Sequence, residues 1–195
     1  VYLFQNHTRQ YIFISTVVVF NHENNFILNE DSVQKNRLSK YGRDKAACED
    51  VFNQAAKKGF PITIVRPSQT YGFDRFPLSV KGKNCWSVVS RILSDKPVII
   101  HGDGQSIWHM MHSYDFAYNF IKLIGNMNAI NRSINLVNPE IVTWDIIYDS
   151  LGKALNRKVQ KVHIASETLA MSTKYPLSEQ IAGDKQFSKL YTDIV

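Results

Sequence analysis

Only two cysteines occur in this chain, and they form no Cys-x-x-Cys motif. Cys48 and Cys85 therefore suit a reduced compartment and argue against structural zinc. No apolar run approaches the roughly 20 residues that a bilayer-spanning helix requires. Val1, Tyr2, Leu3 and Phe4 carry neither an initiator methionine nor a signal-peptide pattern, so the expected location is cytoplasmic. No Gly-x-Ser-x-Gly turn is present, which disfavours a serine hydrolase. The nine glycines include no Gly-x-Gly-x-x-Gly or Gly-x-x-Gly-x-x-Gly, the turn that seats a pyrophosphate on a helix N-terminus. Gly102-Asp103-Gly104 stands alone and does not link a long buried strand to a helix.

What is present is a globular composition, 44% hydrophobic with a net charge of +6. That charge admits an anionic partner: a nucleotide phosphate, RNA, or nothing specific. Lys57 and Lys58 close a helix and complement its dipole, so they say little about nucleic acid. Lys81 and Lys83 fall in a loop and are harder to set aside.

The chain is organised around residues 11–45. Tyr11 to Phe20 is apolar except for Ser15 and Thr16, and reads as a strand buried on both faces of a parallel sheet. Buried hydroxyls are costly unless something bonds them. Ligands in open α/β sheets sit at the carboxyl ends of strands, so Ser15 and Thr16 are expected to face one. Residues 1–8 read as the tail of a helix, and Asn21 to Lys40 as a long polar loop.

Tyr41 and Lys45 stand at helical i, i+4 spacing, and so do Tyr118 and Lys122. The helical wheel separates the two pairs. Tyr41, Lys45, Cys48, Phe52 and Ala55 share one stripe, with Val51 at its edge, which turns the first pair inward. Around the second pair the apolar residues Phe116, Ala117, Phe120, Ile121 and Ile124 centre on the opposite face, leaving Tyr118 and Lys122 in solvent. A lysine on an inward face either snorkels to the sheet edge or tunes the tyrosine beside it. A tyrosine near pKa 10 needs about 4 kcal/mol of help to act at neutrality. A nearby cation supplies part of that.

Downstream, a helix from about Tyr41 to Lys58 ends at Gly59, and Ile62 to Val65 forms a second buried strand. Strand, helix, strand makes a right-handed parallel crossover. Residues 84–94 form a helix, Pro97 to Ile100 a strand, and Asp115 caps a helix running to about Gly125. Ser133 to Val137 is a strand, 143–156 an amphipathic helix, and Val159 to Ile164 a last strand. His101, His109 and His112 lie among Trp108, Met110 and Met111, which favours an apolar wall over a metal site.

Ser15-Thr16 at a strand end, followed by Tyr41-x-x-x-Lys45, resembles the extended short-chain dehydrogenase/reductase family, the NAD-dependent epimerases and dehydratases. Val65-Arg66-Pro67-Ser68-Gln69-Thr70-Tyr71-Gly72, His101-Gly102-Asp103-Gly104 and His112-Ser113-Tyr114-Asp115-Phe116-Ala117 follow in that family's order. The resemblance implies an α/β fold: the C-terminal part of a doubly wound, Rossmann-like parallel sheet plus a smaller α/β substrate-binding region. Residues 1–72 would belong to the cofactor domain and 73–195 to the substrate region, with about 112–140 returning to pack on the former. It also implies catalytic roles for Thr16, Tyr41 and Lys45. Ser15, Tyr41, Lys45, Pro67 and Ser68 would contact NAD or NADP, and Thr16, Gln69, Tyr71 and Trp108 a sugar or nucleotide-sugar substrate. No metal is implied, and a homodimer of the full-length protein is admitted.

Two departures bear on the substrate. Trp108 or His109 stands where nucleotide-sugar enzymes carry an arginine after Gly-Asp-Gly, and an aromatic cannot clamp a phosphate bidentately. Val17-Val18 stands where dehydratases carry Asp-Glu, which disfavours 4,6-dehydration. The missing Gly-rich turn leads to the expectation that roughly 100 residues lie upstream, and that these 195 alone neither bind NAD tightly nor turn over substrate. The alternative reading is a non-catalytic relative that binds RNA or a protein.

Overall fold

The computed structural model describes residues 1–21, 28–34, 36, 39–76, 78 and 85–171. Lys81 and Lys83, and part of the 21–40 loop, lie outside them. The chain divides into two compact units, Val1–Gly72 with Met110–Asn138, and Phe73–His109 with Pro139–Val195.

The first unit is built on a parallel sheet of β1 (Tyr11–Ile14), β2 (Ile62–Pro67) and β6 (Arg132–Leu136), in the order β1-β2-β6. Tyr11 pairs with Ile62 and Ile14 with Val65, while Val65 pairs with Ile134. β2 lies between the other two and is buried nearly throughout, as its Ile-Thr-Ile-Val run requires. A second, two-stranded parallel sheet pairs β3 (Gln69–Tyr71) with β5 (Met110–His112).

Helix α1 (Lys40–Ala56) makes the crossover from β1 to β2. Ser39 caps it by accepting from the Gly42 amide at 3.1 Å. Gly59, at φ +87°, ends the region in the left-handed conformation glycine tolerates best. Phe52, Ala55 and Ala56 pack with Tyr11, Phe13, Phe60, Ile62 and Ile64 into one core. Its aromatic rings pack closely, Tyr11 stacked on Phe52 at 5.3 Å and Phe13 tilted against Phe52 at 4.8 Å.

Four sequence expectations are corrected here. The strand expected over 11–20 stops at Ile14, because the Thr16 hydroxyl accepts from the Val18 amide and starts a 3-10 turn over Val17–Val19. Residues 1–8 form turns rather than a helix, with Asn6 at φ +66° breaking any helical path. His112, not Asp115, caps α3 (Ser113–Ile121): its Nδ1 accepts from the Tyr114 amide at 3.3 Å, and Asp115 sits in the first turn.

The fourth concerns α1. Tyr41 is 53% exposed and Cys48 is exposed, whereas Glu49 is fully buried. The inward stripe therefore runs through Gly42, Lys45, Glu49, Phe52 and Ala55. The helix has rolled because Glu49 has a buried cationic partner and Gly42 allows close approach to Val18.

The second unit contains α2 (Trp86–Leu93), β4 (Val98–His101) paired in parallel with β7 (Lys161–Ile164), α4 (Trp144–Ala154) and α5 (Ser166–Met171). Its core includes Trp144, which meets His101 edge-on at 4.8 Å and stacks on Trp108 at 5.2 Å. Gly104, at φ +77°, lets the turn after β4 press against Asp145 and His163. No helix among the described residues is long and apolar enough to cross a membrane.

Candidate functional site

The carboxyl ends of β1 and β2 carry the residues of interest. Ser15 follows β1 and stays in the ladder, its amide donating to the Val65 carbonyl at 2.7 Å. Among the described residues its hydroxyl is buried without a hydrogen-bond partner, as are the Ser68 hydroxyl beyond β2 and the Asn135 Oδ1 near the end of β6. Buried polar atoms are almost always satisfied by protein, water or ligand. These three orphans lie at the carboxyl ends of three adjacent parallel strands, the end at which open α/β sheets generally receive ligands.

Thr16 is buried, and its hydroxyl oxygen accepts from the Val18 amide at 3.2 Å. The hydroxyl proton remains available to donate. Gly42 in the first turn of α1 lies so close to Val18 that a Cβ would collide with the Val18 carbonyl. Asn36 fixes the same carbonyl by donating from Nδ2 at 2.7 Å. The N-terminus of α1 is thus pressed against the turn that Thr16 begins.

Lys45 crosses from α1 to β1. Its Nζ donates to the Ile14 carbonyl at 2.8 Å and lies 4.8 Å from the Phe13 ring and 5.9 Å from the Tyr41 ring. One ammonium therefore sits beside the Tyr41 ring and beside the residue that precedes Ser15-Thr16. Burial raises the Tyr41 pKa above its ordinary value of 10.0, so the phenol is fully protonated at neutrality.

Pro67 ends β2, and Gln69 and Tyr71 lie on β3. Tyr71 meets His112 edge-on at 5.2 Å. Trp108 belongs to the second unit, where its stacking on Trp144 gives it a packing role. Tyr118 and Lys122 are exposed, with Lys122 Nζ 3.9 Å from the Tyr118 ring centre.

Sequence reasoning missed one feature at the centre of this arrangement. Arg66 and Glu49 are 1% and 0% exposed, joined by Nη2–Oε2 at 2.7 Å and Nε–Oε1 at 3.0 Å. The signal was available: an arginine ending a buried strand and a glutamate four residues beyond Lys45 on its helix row each require a partner.

Residues 2–136 match the family described as NAD dependent epimerase/dehydratase. The chain belongs to this family. It is 25% identical over 138 residues to the 2'-dehydrokanamycin reductase of Streptomyces kanamyceticus, spanning 68% of this chain and 38% of that protein. A UDP-glucuronic acid 4-epimerase from Bacillus cereus, solved with UDP-glucuronic acid and NAD, superposes with a TM-score of 0.66 at 25% identity. The superposition covers 80% of this chain and 49% of the epimerase. An epimerase from Methanothermobacter thermautotrophicus shares the fold with a TM-score of 0.68 at 14% identity, over 95% of this chain and 54% of its own. The chain thus spans about half the length of these two structural relatives and 38% of the reductase. The parallel α/β architecture is that of Rossmann-fold epimerases in this family.

Proposed function

We propose that this chain carries the acid–base half of an NAD(P)-dependent epimerase or reductase acting on a secondary alcohol of a nucleotide sugar. The observation behind this reading is Lys45, whose ammonium lies beside both the Tyr41 ring and the Ile14 carbonyl next to Ser15-Thr16. The relatives' substrates point the same way: UDP-glucuronic acid and UDP-glucose accompany two of the matching epimerase structures.

The orphaned Ser15 and Ser68 hydroxyls at the strand ends fit a polar ligand such as the nicotinamide and ribose of the dinucleotide. Lys45, Tyr41 and Pro67 would complete that contact. NAD(P), when bound, supplies the hydride acceptor and donor. In its phenolate form Tyr41 takes the proton of the reacting hydroxyl and becomes the neutral phenol, and the Thr16 hydroxyl donates to the same oxygen as charge develops. Lys45 holds its positive charge beside Tyr41 and lowers the cost of the phenolate. Its help is needed, because burial in the chain alone pushes the Tyr41 pKa upward.

The test uses the full-length protein with a UDP-hexose, following nicotinamide absorbance and product stereochemistry. Tyr41→Phe should fold normally and lose roughly 10²–10⁴ in turnover. Lys45→Met should weaken both cofactor binding and turnover, while Tyr118→Phe should change neither. Normal turnover in Tyr41→Phe would refute the mechanism.

A further inference from the structure

Resting on that reading, we propose that Arg66, Glu49 and Glu30 are positioning residues that set the direction of Lys45. Arg66 is the hub. Its guanidinium binds Glu49 of α1 through Nε and Nη2, reaches the Glu30 carbonyl through Nη1 at 3.3 Å, and faces the Phe20 ring at 4.9 Å. Phe20 closes the 3-10 turn that Thr16 opens. One buried cation therefore touches the helix bearing Tyr41 and Lys45, the turn bearing Thr16, and the loop over the strand ends.

Glu30 anchors this hub from outside. Its carboxylate Oε1 accepts from the Asn135 amide at 2.9 Å, so the loop residue is tied to β6 by its side chain and to Arg66 of β2 by its backbone. Glu49 stands four residues after Lys45, on the same row of α1. A helix is stiff over one turn, so fixing the roll at Glu49 fixes the direction in which Lys45 leaves the helix. That direction carries its ammonium to the Ile14 carbonyl at 2.8 Å. Without the anchor the row is free to rotate, and Lys45, whose long stem is flexible, drifts from Tyr41.

The experiment measures the acylation rate of individual lysines in the full chain, using a trace pulse of acetic anhydride and peptide mass spectrometry. Exposed Lys96 serves as the internal reference. Glu30→Ala removes only an exposed side chain, and should raise Lys45 acylation by about 2- to 10-fold, the factor one net hydrogen bond carries. Glu30→Gln keeps an oxygen that accepts the Asn135 amide and should restore the native rate. Arg66→Lys, if it folds, should raise the rate as Glu30→Ala does. A folded Glu30→Ala chain with native Lys45 reactivity, or a Glu30→Gln chain as reactive as Glu30→Ala, would overturn the proposal. In the full-length enzyme, Glu30→Ala should lower kcat with little change in the KM for the sugar. The lysine readout needs neither cofactor nor substrate. If Lys45 responds to Glu30 while Tyr41→Phe leaves turnover intact, the functional reading fails and the positioning relay stands.

Discussion

Two tyrosine–lysine pairs in this chain have the same spacing and opposite surroundings. Lys45 leaves α1 toward β1 and bonds the Ile14 carbonyl, whereas Lys122, at the end of α3, folds back over its own Tyr118 ring and donates to Asn119 Oδ1 at 3.4 Å. The i, i+4 interval guarantees that tyrosine and lysine share a face. What it does not determine is which face. On α1, the close approach at Gly42 and the buried Glu49 turn the row toward the sheet. On α3 no residue is fully buried, and the Tyr118 row faces solvent. Helix phase, set by packing residues between and beyond the pair, separates a lysine that reaches the sheet from a surface one.

The sharpest way to break the difference is to remove the element that sets the phase. Glu49→Ala leaves the Arg66 guanidinium buried without its counter-charge, and should cost about 3–5 kcal/mol of stability. Replacing both members, as Glu49→Leu with Arg66→Met, should recover much of that loss, because two apolar side chains need no solvation. Urea titration of the three variants checks the order. Equal stability of the single and double variants would mean that the pair's charge does not govern the packing of α1.

Next in size is Gly42→Ala. A methyl group at this position meets the Val18 carbonyl and lies 3.2 Å from Val18 Cγ1, so helix or turn must move. Overpacking of this kind costs about 1–3 kcal/mol. The exposed Ala117 of α3 offers the contrast, since Ala117→Ser should shift the melting midpoint hardly at all. A Gly42→Ala protein as stable as the parent would show that α1 has slack against the Thr16 turn.

How far this was legible depends on which physical signal each residue left. The parallel crossover was readable because β2 is a continuous apolar run and Gly59 punctuates α1. The Tyr41–Lys45 spacing was readable as a pattern, and the exposure of Tyr118 and Lys122 followed from where the apolar residues around α3 lie. The roll of α1 was not readable from hydrophobicity. A wheel that scores Glu49 as polar assigns it to solvent, and only its pairing with Arg66, seventeen residues away, reverses that. The end of β1 was hidden for a similar reason. Val17, Val18 and Val19 favour a strand, but the Thr16 hydroxyl captures the Val18 amide and bends the chain away.

A half-exposed cluster in the second unit provides an intermediate case. Asp145 bonds His163 Nε2 at 2.8 Å and Lys161 Nζ at 3.2 Å, and Lys161 reaches Asp149 at 3.0 Å. Burial alone would raise the Asp145 pKa, but the His163 and Lys161 contacts together outweigh it and hold the carboxyl below its ordinary value of 3.8. A carboxyl depressed in the folded state adds stability above its unfolded pKa and loses it as pH falls through the folded value. Asp145→Asn should therefore cost about 1 kcal/mol at neutral pH, and the gap should close below pH 3.8. Thermal melts from neutral pH down through the acid range test this. A gap that persists at the acid end would point to a loss of packing at Gly104 rather than of charge.

The smallest effect belongs to the surface pair. Lys122 lies over Tyr118 at 3.9 Å, close enough for a cation–π contact, yet both side chains are open to water. An exposed contact of this type is worth about 0.5–1 kcal/mol before the entropy of holding a lysine is subtracted. Screening by salt reduces it further. Lys122→Ala should accordingly lower stability by less than about 0.5 kcal/mol, and added salt should erase even that. Lys45→Ala should behave differently, because its ammonium satisfies the Ile14 carbonyl and lies 4.8 Å from the Phe13 ring centre. Losing a charged hydrogen bond at a partly covered site costs about 1–2 kcal/mol, and salt should not restore it. Paired denaturation curves at low and high salt separate the two lysines. If Lys122→Ala proved as costly and as salt-resistant as Lys45→Ala, spacing alone would suffice to make such a pair, and helix phase would lose its explanatory role.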